Sequence, residues 1–348
     1  MGTAAQRIKY IASDYVMSII AWLLFLYVRY DMGEHSHTLG YADFSHYLFS
    51  PPVILGTVLF PLAMLAIHWM SGYYNQVWRK SRVQELFDTT SSVLVGVIVA
   101  FLCALINDMV VERIYNYQLL LWLTVILFAC TYIPRLIITG NISKKIKKRQ
   151  ITFPTLMIGA GERAKEFAQK LKEQPKSTGY RIVGYVPIEG ESPATLDAPI
   201  FSFGEIATVC EREKVSELVV IPSSNDTTNL LATINRLYHL NLPIKIEPDM
   251  QSILLSHVKI SDFLGDPLVD VSGSNMDDCS KNIKRVVDIF VSALALIALS
   301  PLLIIIALMV KGDSKGPIFY RQERIGLHNK PFSIIKFRSM RHNAEAQT

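Results

Sequence analysis

From Val286 to Val310 the chain reads VVDIFVSALALIALSPLLIIIALMV, twenty-five residues in which Asp288 is the only charge. As a helix rising about 1.5 Å per residue it would be roughly 37 Å long, enough to cross a bilayer, so this run commits the chain to lipid. Pro301 interrupts it. A proline inside a helix lacks a backbone donor and presses on the carbonyl four residues earlier, here that of Ile297, which predicts a break or kink at Ser300-Pro301. The Ser300 hydroxyl is placed to satisfy part of what the proline leaves open. Lys281, Lys284 and Arg285 precede the run, and Lys311 and Lys315 follow it. The positive-inside rule assigns both ends to one side, the pattern of a re-entrant helix over residues 286–310. A proline-kinked helix that spans the membrane is the competing reading.

Half of the residues are hydrophobic and the mean hydropathy is +0.28, with the apolar residues gathered in blocks towards the two ends. This is the pattern of an integral membrane protein with a soluble middle. Residues 1–150 hold four apolar runs, about Tyr10 to Val28, Pro51 to Met70, Ser91 to Met109 and Leu119 to Ile138, and read as a four-helix transmembrane bundle. The first run has no small-residue cleavage site and is read as a retained span. Residues 31–50 contain no Lys or Arg, whereas Arg79, Lys80 and Arg82 lie between the second and third runs and Lys144, Lys145, Lys147, Lys148 and Arg149 follow the fourth. Both ends of the bundle are therefore expected in the cytoplasm. Asp14, about one turn inside the first run, is expected to reach water or a basic partner. His35, His37, His46 and His68 have no regular spacing and are expected to be solvated. Cys103, Cys130, Cys210 and Cys279 show no metal-ligand spacing and are read as free thiols.

Residues 151–270 change character to alternating strands and helices. Strands are predicted at Pro154 to Ile158, Arg181 to Val186, Glu217 to Pro222 and Ile244 to Ile246. Helices are predicted at Glu162 to Glu173, Gly204 to Glu213 and Thr228 to Leu237, together a Rossmann-like, doubly wound α/β domain. Gly159 and Gly161 form a candidate nucleotide turn at a helix N-terminus. The second strand ends Gly184-Tyr185-Val186-Pro187, without the acid that would hold an adenosine ribose. No NAD is expected, and the domain reads as structural, regulatory or nucleotide-sensing.

Residues 271–280, VSGSNMDDCS, are read as a linker, and residues 281–348 as a separate module beginning with the re-entrant helix. That module carries eleven Lys or Arg against Asp288, Asp313, Glu323 and Glu345, a net +7, which leaves −2 on the preceding 280 residues. Beside a membrane helix such charge suits anionic headgroups, lipid phosphates and nucleotide diphosphates, with no nucleic acid expected. Residues 318–322 and 332–337 have strand character around Gly326-Leu327-His328-Asn329, so a short hairpin could present basic groups on one face.

Within the module, Lys284-Arg285 with Asp288, Ser300-Pro301, Gly316-Pro317, Arg321-Gln322-Glu323-Arg324-Ile325-Gly326 and Lys336-Phe337-Arg338-Ser339-Met340 follow one another at short spacings. Together they resemble the bacterial sugar transferases, the polyisoprenyl-phosphate hexose-1-phosphate transferases. The whole chain is similar to the large members, which have four transmembrane helices, a Rossmann-like domain and a small α/β catalytic module. The resemblance implies transfer of a hexose 1-phosphate from a UDP-sugar to undecaprenyl phosphate, initiating exopolysaccharide, capsule or O-antigen synthesis. Homo-oligomerisation and hand-over to downstream glycosyltransferases follow as expectations. Arg321, Arg324, Lys336 and Arg338 are the candidate phosphate contacts; Ser300 and Pro301 set the kink, and Lys284, Arg285 and Asp288 anchor the helix at the interface. The family's catalytic Asp-Glu dyad, which is expected to help hold Mg2+, lies beyond the KFRSM motif. No adjacent Asp-Glu pair occurs up to Thr348, so no catalytic or metal residue is assigned, and the chain is read as an incomplete form. The alternative is a non-catalytic membrane regulator with a nucleotide-sensing domain. A membrane-bound oxidoreductase or epimerase is disfavoured by the missing ribose acid and the lack of a Tyr-x-x-x-Lys pair.

Overall fold

The computed structural model describes residues 3–35, 43–105, 113–188, 190–221, 227–247, 268–270, 278–313, 316–326 and 331–338. The bundle consists of α1 (Thr3–His35), the short α2 (Phe44–Leu48), α3 (Pro51–Met70), α4 (Arg82–Ala100), continued by a π-helical turn Phe101–Leu105, and α5 (Arg113–Lys147). Pro51 and Pro52 open α3, where a missing backbone donor costs nothing. Helix α4 starts nine residues before the apolar run at Ser91, because Arg82 to Thr90 turns Glu85 and Thr89 inward as an amphipathic extension. Trp22 stacks on Phe60 with centroids 4.4 Å apart, and Gly96 lets Met64 pack where a Cβ would lie 2.4 Å from its sulfur. Among the described residues, α1, α3, α4 with its π-helical continuation, α5 and one further helix described below are the five that are long and apolar enough to cross a membrane.

A charged layer lies at the end of the bundle that carries residues 71–81. Arg135 of α5, fully buried, donates to both carboxylate oxygens of Asp14 on α1, Nη2 at 2.6 Å and Nε at 3.0 Å, and to Thr89 of α4 at 3.0 Å. The Tyr74 hydroxyl donates to the same carboxylate at 2.7 Å. Beside it, Tyr73 and Thr139 donate to Glu85 at 2.6 and 2.8 Å, with Tyr10 and Thr139 2.9 Å apart. The expected basic partner of Asp14 is therefore present, but water is not needed: the carboxylate is 1% exposed. His68 departs from the sequence reading as well. It is fully buried, and among the described residues neither ring nitrogen has a hydrogen-bond partner, because α3 turns it inward in the last turn before Ser71. His46 remains exposed beside Asp43, while the side chains of His35 and His37 lie outside the described set.

The α/β domain comprises β1 (Phe153–Ile158), α6 (Glu162–Glu173), β2 (Tyr180–Val186), α7 (Ile206–Arg212), β3 (Glu217–Val220), α8 (Thr227–Leu237), β4 (Ile244–Ile246) and β5 (Val269–Asp270). Its strand order is β2-β1-β3-β4-β5. The first four strands run parallel, as the helix-strand alternation requires, while β5 closes the β4 edge antiparallel. Alternate residues of β1 and β3 face two apolar layers: Leu156, Ile158, Leu218 and Val220 on one side, Met157 and Val219 with Ala164 and Phe167 of α6 on the other.

Arg79 ties this domain to the bundle. Its guanidinium lies between the rings of Phe153 and Tyr180, 4.4 and 4.2 Å from their centroids, and donates to both carboxylate oxygens of Glu217 at 2.9 and 3.0 Å. Lys245 adds an ion pair to Glu217 at 3.2 Å. Trp78, Ile142 and Ile146 pack on the same seam as Phe153.

The last part is α9 (Asp278–Asp313) followed by a hairpin of β6 (Phe319–Ile325) and β7 (Pro331–Phe337). Helix α9 starts inside the stretch read as linker, since Asp278, Cys279 and Ser280 are already helical. Its first turn sits on the end of α3: Asn282 donates to the Trp69 carbonyl at 2.6 Å, and Gly72, at φ +81°, lies so close that a Cβ would be 2.7 Å from that of Asp278. The helix runs unbroken through Ser300-Pro301, and its most apolar window is unburied, with mean hydropathy 2.9. Of the expected break or kink, the break does not form: the helix stays continuous, and the Ser300 hydroxyl donates at 2.8 Å to the Ile297 carbonyl, the acceptor that Pro301 leaves open.

Two outcomes are expected. Arg135→Met strands the Asp14 carboxylate in the bundle and should lower unfolding free energy by about 3–5 kcal/mol in detergent denaturation, with Asp14→Leu/Arg135→Met costing less than the sum of the single changes. Burial, followed by repulsion from Arg135, holds the Lys80 ammonium down to about 7. The folded chain then binds fewer protons than the unfolded one above that point, so stability should rise with pH between about 7 and 9, and Lys80→Met should flatten this slope.

Candidate functional site

The hairpin grows directly from the end of α9. Arg338 donates from its backbone to the Ile318 carbonyl at 3.0 Å and from its guanidinium to the Val310 carbonyl at 3.5 Å, while Lys311 reaches the Gly316 carbonyl at 3.4 Å. Gly316, at φ +142°, makes the turn between helix and strand. Strand pairing sets Tyr320 opposite Lys336, Arg321 opposite Ile335 and Arg324 opposite Phe332.

Side chains alternate between the faces of a strand, so this register sorts the candidate phosphate contacts. Arg324 and Lys336 share one face, where both reach the Gln322 amide oxygen, at 3.4 and 3.1 Å. Arg338, two residues beyond Lys336, continues that face. Arg321 stands on the other with Glu323, Phe319 and Phe337, the two rings 5.5 Å apart. Three of the four cations thus share a face, with only Arg324 and Lys336 meeting at one partner, and the fourth does not, because Arg321 and Arg324 differ by an odd number of residues along one strand.

At the other end of α9, Lys284 pairs with Asp288 one turn on, and Lys281 with Asp278 at 3.3 Å. These are exposed pairs within a single helix, and Arg285 is also exposed. Among the described residues no three His, Cys, Asp or Glu side chains converge as a metal site, and none of the four cysteines is in a disulfide. An apolar cavity of about 570 Å3, lined by Trp22, Phe60, Met64 and neighbours, lies in the half of the bundle remote from residues 71–81 and from the start of α9.

The glycine turn of the α/β domain follows β1, the strand between β2 and β3, where an open sheet of this order has its crevice. Gly159, at φ +123°, is held against the end of β3, where a Cβ would be 2.2 Å from the Ile221 carbonyl oxygen. Two backbone donors of the turn just before α6 are already engaged: Ala160 and Gly161 each donate to the Glu191 carboxylate at 2.8 Å. Glu191 escaped the sequence reading, which looked for an acid at the end of β2 as a ribose ligand and not for one that returns to the turn.

These features define a class: a membrane protein whose helical bundle carries a parallel α/β domain, followed by an unburied apolar helix and a basic hairpin. A family model described as bacterial sugar transferase matches residues 279–348, the helix and hairpin, and one described as a CoA-binding domain matches residues 70–248. The chain is 27% identical over 164 residues to a UDP-glucose:undecaprenyl-phosphate glucose-1-phosphate transferase of Klebsiella pneumoniae, covering 47% of this chain and 35% of that protein. It is 29% identical over 128 residues to the protein of that name in Escherichia coli K12, covering 37% and 28%. Over 63 residues it is 43% identical to the UDP-N-acetylgalactosamine-undecaprenyl-phosphate N-acetylgalactosaminephosphotransferase of Aeromonas hydrophila, covering 18% and 15%. The matches thus span about a third or less of these relatives' own length. Residues 279–348 belong to the bacterial sugar transferase family.

Gly159→Ala should destabilise the α/β domain by about 1–3 kcal/mol through backbone strain, beyond which the clash with Ile221 adds. Limited proteolysis of the purified chain should show earlier cleavage within residues 153–246.

Proposed function

We propose that this chain serves the transfer of a hexose 1-phosphate from a UDP-sugar to undecaprenyl phosphate at the cytoplasmic face of a bacterial inner membrane, initiating a surface polysaccharide. The carrying observation is the face that joins Arg324, Lys336 and Arg338, mounted on the end of an unburied apolar helix. One substrate of this reaction is anchored in lipid and the other is dissolved, and a cationic face at headgroup level is where their phosphates can meet. In the net reaction the phosphoanhydride bond of the UDP-sugar breaks, a new one forms to the lipid phosphate, and UMP leaves. Arginine forks and a lysine point charge bind the non-reacting phosphate oxygens and offset the charge that accumulates on the departing UMP. The Gln322 amide, bonded to Arg324 and Lys336, holds both side chains in register. Arg321, on the opposite face beside Phe319 and Phe337, acts as an interfacial anchor.

In this proposal α9 is re-entrant, which requires the helix, continuous here, to bend sharply in the membrane at Pro301, where the backbone bond to Ile297 is missing. It begins against the end of α3 beside the basic 71–81 segment, and basic residues stand at both its ends, which favours one membrane side for both. Lys284, Arg285 and Asp288 hold the first turn at the headgroups, and Ser300-Pro301 marks the deepest point. An Mg2+ ion, implied by the resemblance through an Asp-Glu dyad, finds no fitting ligand in the hairpin: Glu323 is on the Arg321 face, away from Arg324 and Lys336. No step is therefore routed through a metal. Homo-oligomers and downstream glycosyltransferases are the expected partners.

The test is UMP release in membranes supplied with undecaprenyl phosphate and either UDP-glucose or UDP-N-acetylgalactosamine, using the product of the whole reading frame. Turnover with one donor is expected, falling about 10²–10³-fold in Arg324→Ala and Lys336→Ala and less than about tenfold in Arg321→Ala. Absence of release with any UDP-sugar from a folded, inserted protein would overturn the reading.

A further inference from the structure

A CoA-binding or dinucleotide-binding fold receives the ligand's diphosphate on the free backbone donors of the turn after β1, at the N-terminus of the following helix. The family model over residues 70–248 implies such a ligand here, and the geometry of this turn does not fit it. Residues 190–194, with Ile188 beside them, pass over the turn as a strap. The Ala194 amide donates to the Ala160 carbonyl at 2.8 Å, and the Glu191 amide to the Ile188 carbonyl at 3.0 Å. The Glu191 carboxylate accepts from Ala160 and Gly161 at 2.8 Å each and from Ile188 at 3.2 Å. Gly161 is crowded from the same side, since a Cβ there would be 2.5 Å from Glu191 Oε1.

We infer that Glu191 is a built-in anion that closes this turn, so that the α/β domain of the native chain holds neither CoA nor a nucleotide diphosphate at it. The carboxylate supplies the negative charge that the helix N-terminus favours, and it does so from within the chain. A free diphosphate must first displace it, and its apparent affinity falls by the fraction of molecules in which the strap is open. The domain is thereby left as a rigid element clamped to the bundle through Arg79 and Glu217, whose contacts lie at the beginnings of β1, β2 and β3, away from the turn. The sign of the effect is opposite to that of an acid serving as a ribose ligand, because removing such a ligand weakens nucleotide binding whereas removing Glu191 should create it.

Equilibrium dialysis of the full chain in detergent with labelled CoA and labelled ADP provides the test, with thermal unfolding of each variant as the check on folding. The native chain is expected to show no saturable uptake up to about 1 mM, a concentration at which a functional cofactor site would be filled. Glu191→Ala should bind ADP or CoA at least about tenfold more tightly than the native chain, and Glu191→Gln, which preserves the strap's shape without the charge, should fall between them. Saturable binding by the native chain that either substitution leaves unchanged or weakens would overturn the inference. So would a folded Glu191→Ala chain that takes up neither probe. The outcome does not depend on the transfer activity, since no hairpin residue is involved.

Discussion

A guanidinium with no access to water organises the membrane end of this protein. Arg135 is affordable inside a helical bundle because Asp14 meets it at two points, while Thr89 accepts another of its donors and the ring of Tyr73 lies 3.6 Å away. The contributors come from α1, α4, α5 and the segment after α3, so the pairing can form only when these parts have assembled in one register. Glu85, held by Tyr73 and Thr139, extends the layer. Apolar packing deeper in the bundle would tolerate sliding of helix against helix; a buried ion pair with fixed donors does not.

That layer fixes residues 71–81, and those residues position the rest of the chain. Arg79 leaves the segment to lie between Phe153 and Tyr180 and to meet Glu217. Gly72 makes room for the first turn of α9, whose Asn282 reaches the Trp69 carbonyl. The α/β domain and the helix that carries the basic hairpin therefore start from one end of the bundle.

Much of this was legible from residue order. The span from Pro51 to Met70, the helix from Glu162 to Glu173 and the strand from Ile244 to Ile246 carry their periodicity and their boundaries in the sequence. Other features were misjudged for physical reasons. Helices α4 and α5 outrun their apolar cores because polar turns such as Arg82 to Thr90 are stabilised by burying Glu85 and Thr89 against other helices, a partner effect that hydropathy does not register. Pro301 does not break α9, and its neighbour Ser300 supplies a donor locally. The division of the basic residues between two faces of the hairpin was within reach, as the parity of Arg321 and Arg324 decides it once both lie in one strand.

By itself the amino-acid order determined what each segment can be: apolar length sets the spans, alternation sets the parallel sheet, and the ordered basic motifs set the family. These are properties of local spacing and composition. Tertiary structure alone decided which distant groups meet. Asp14 finds Arg135 across 121 positions, Arg79 finds Glu217 across 138, and Glu191 folds back over a turn thirty residues earlier. Each carboxylate would be equally stable in water as far as its neighbours in the chain are concerned. Its partner is chosen by the packing of helices and strands that exclude that water, and this choice has no local signature.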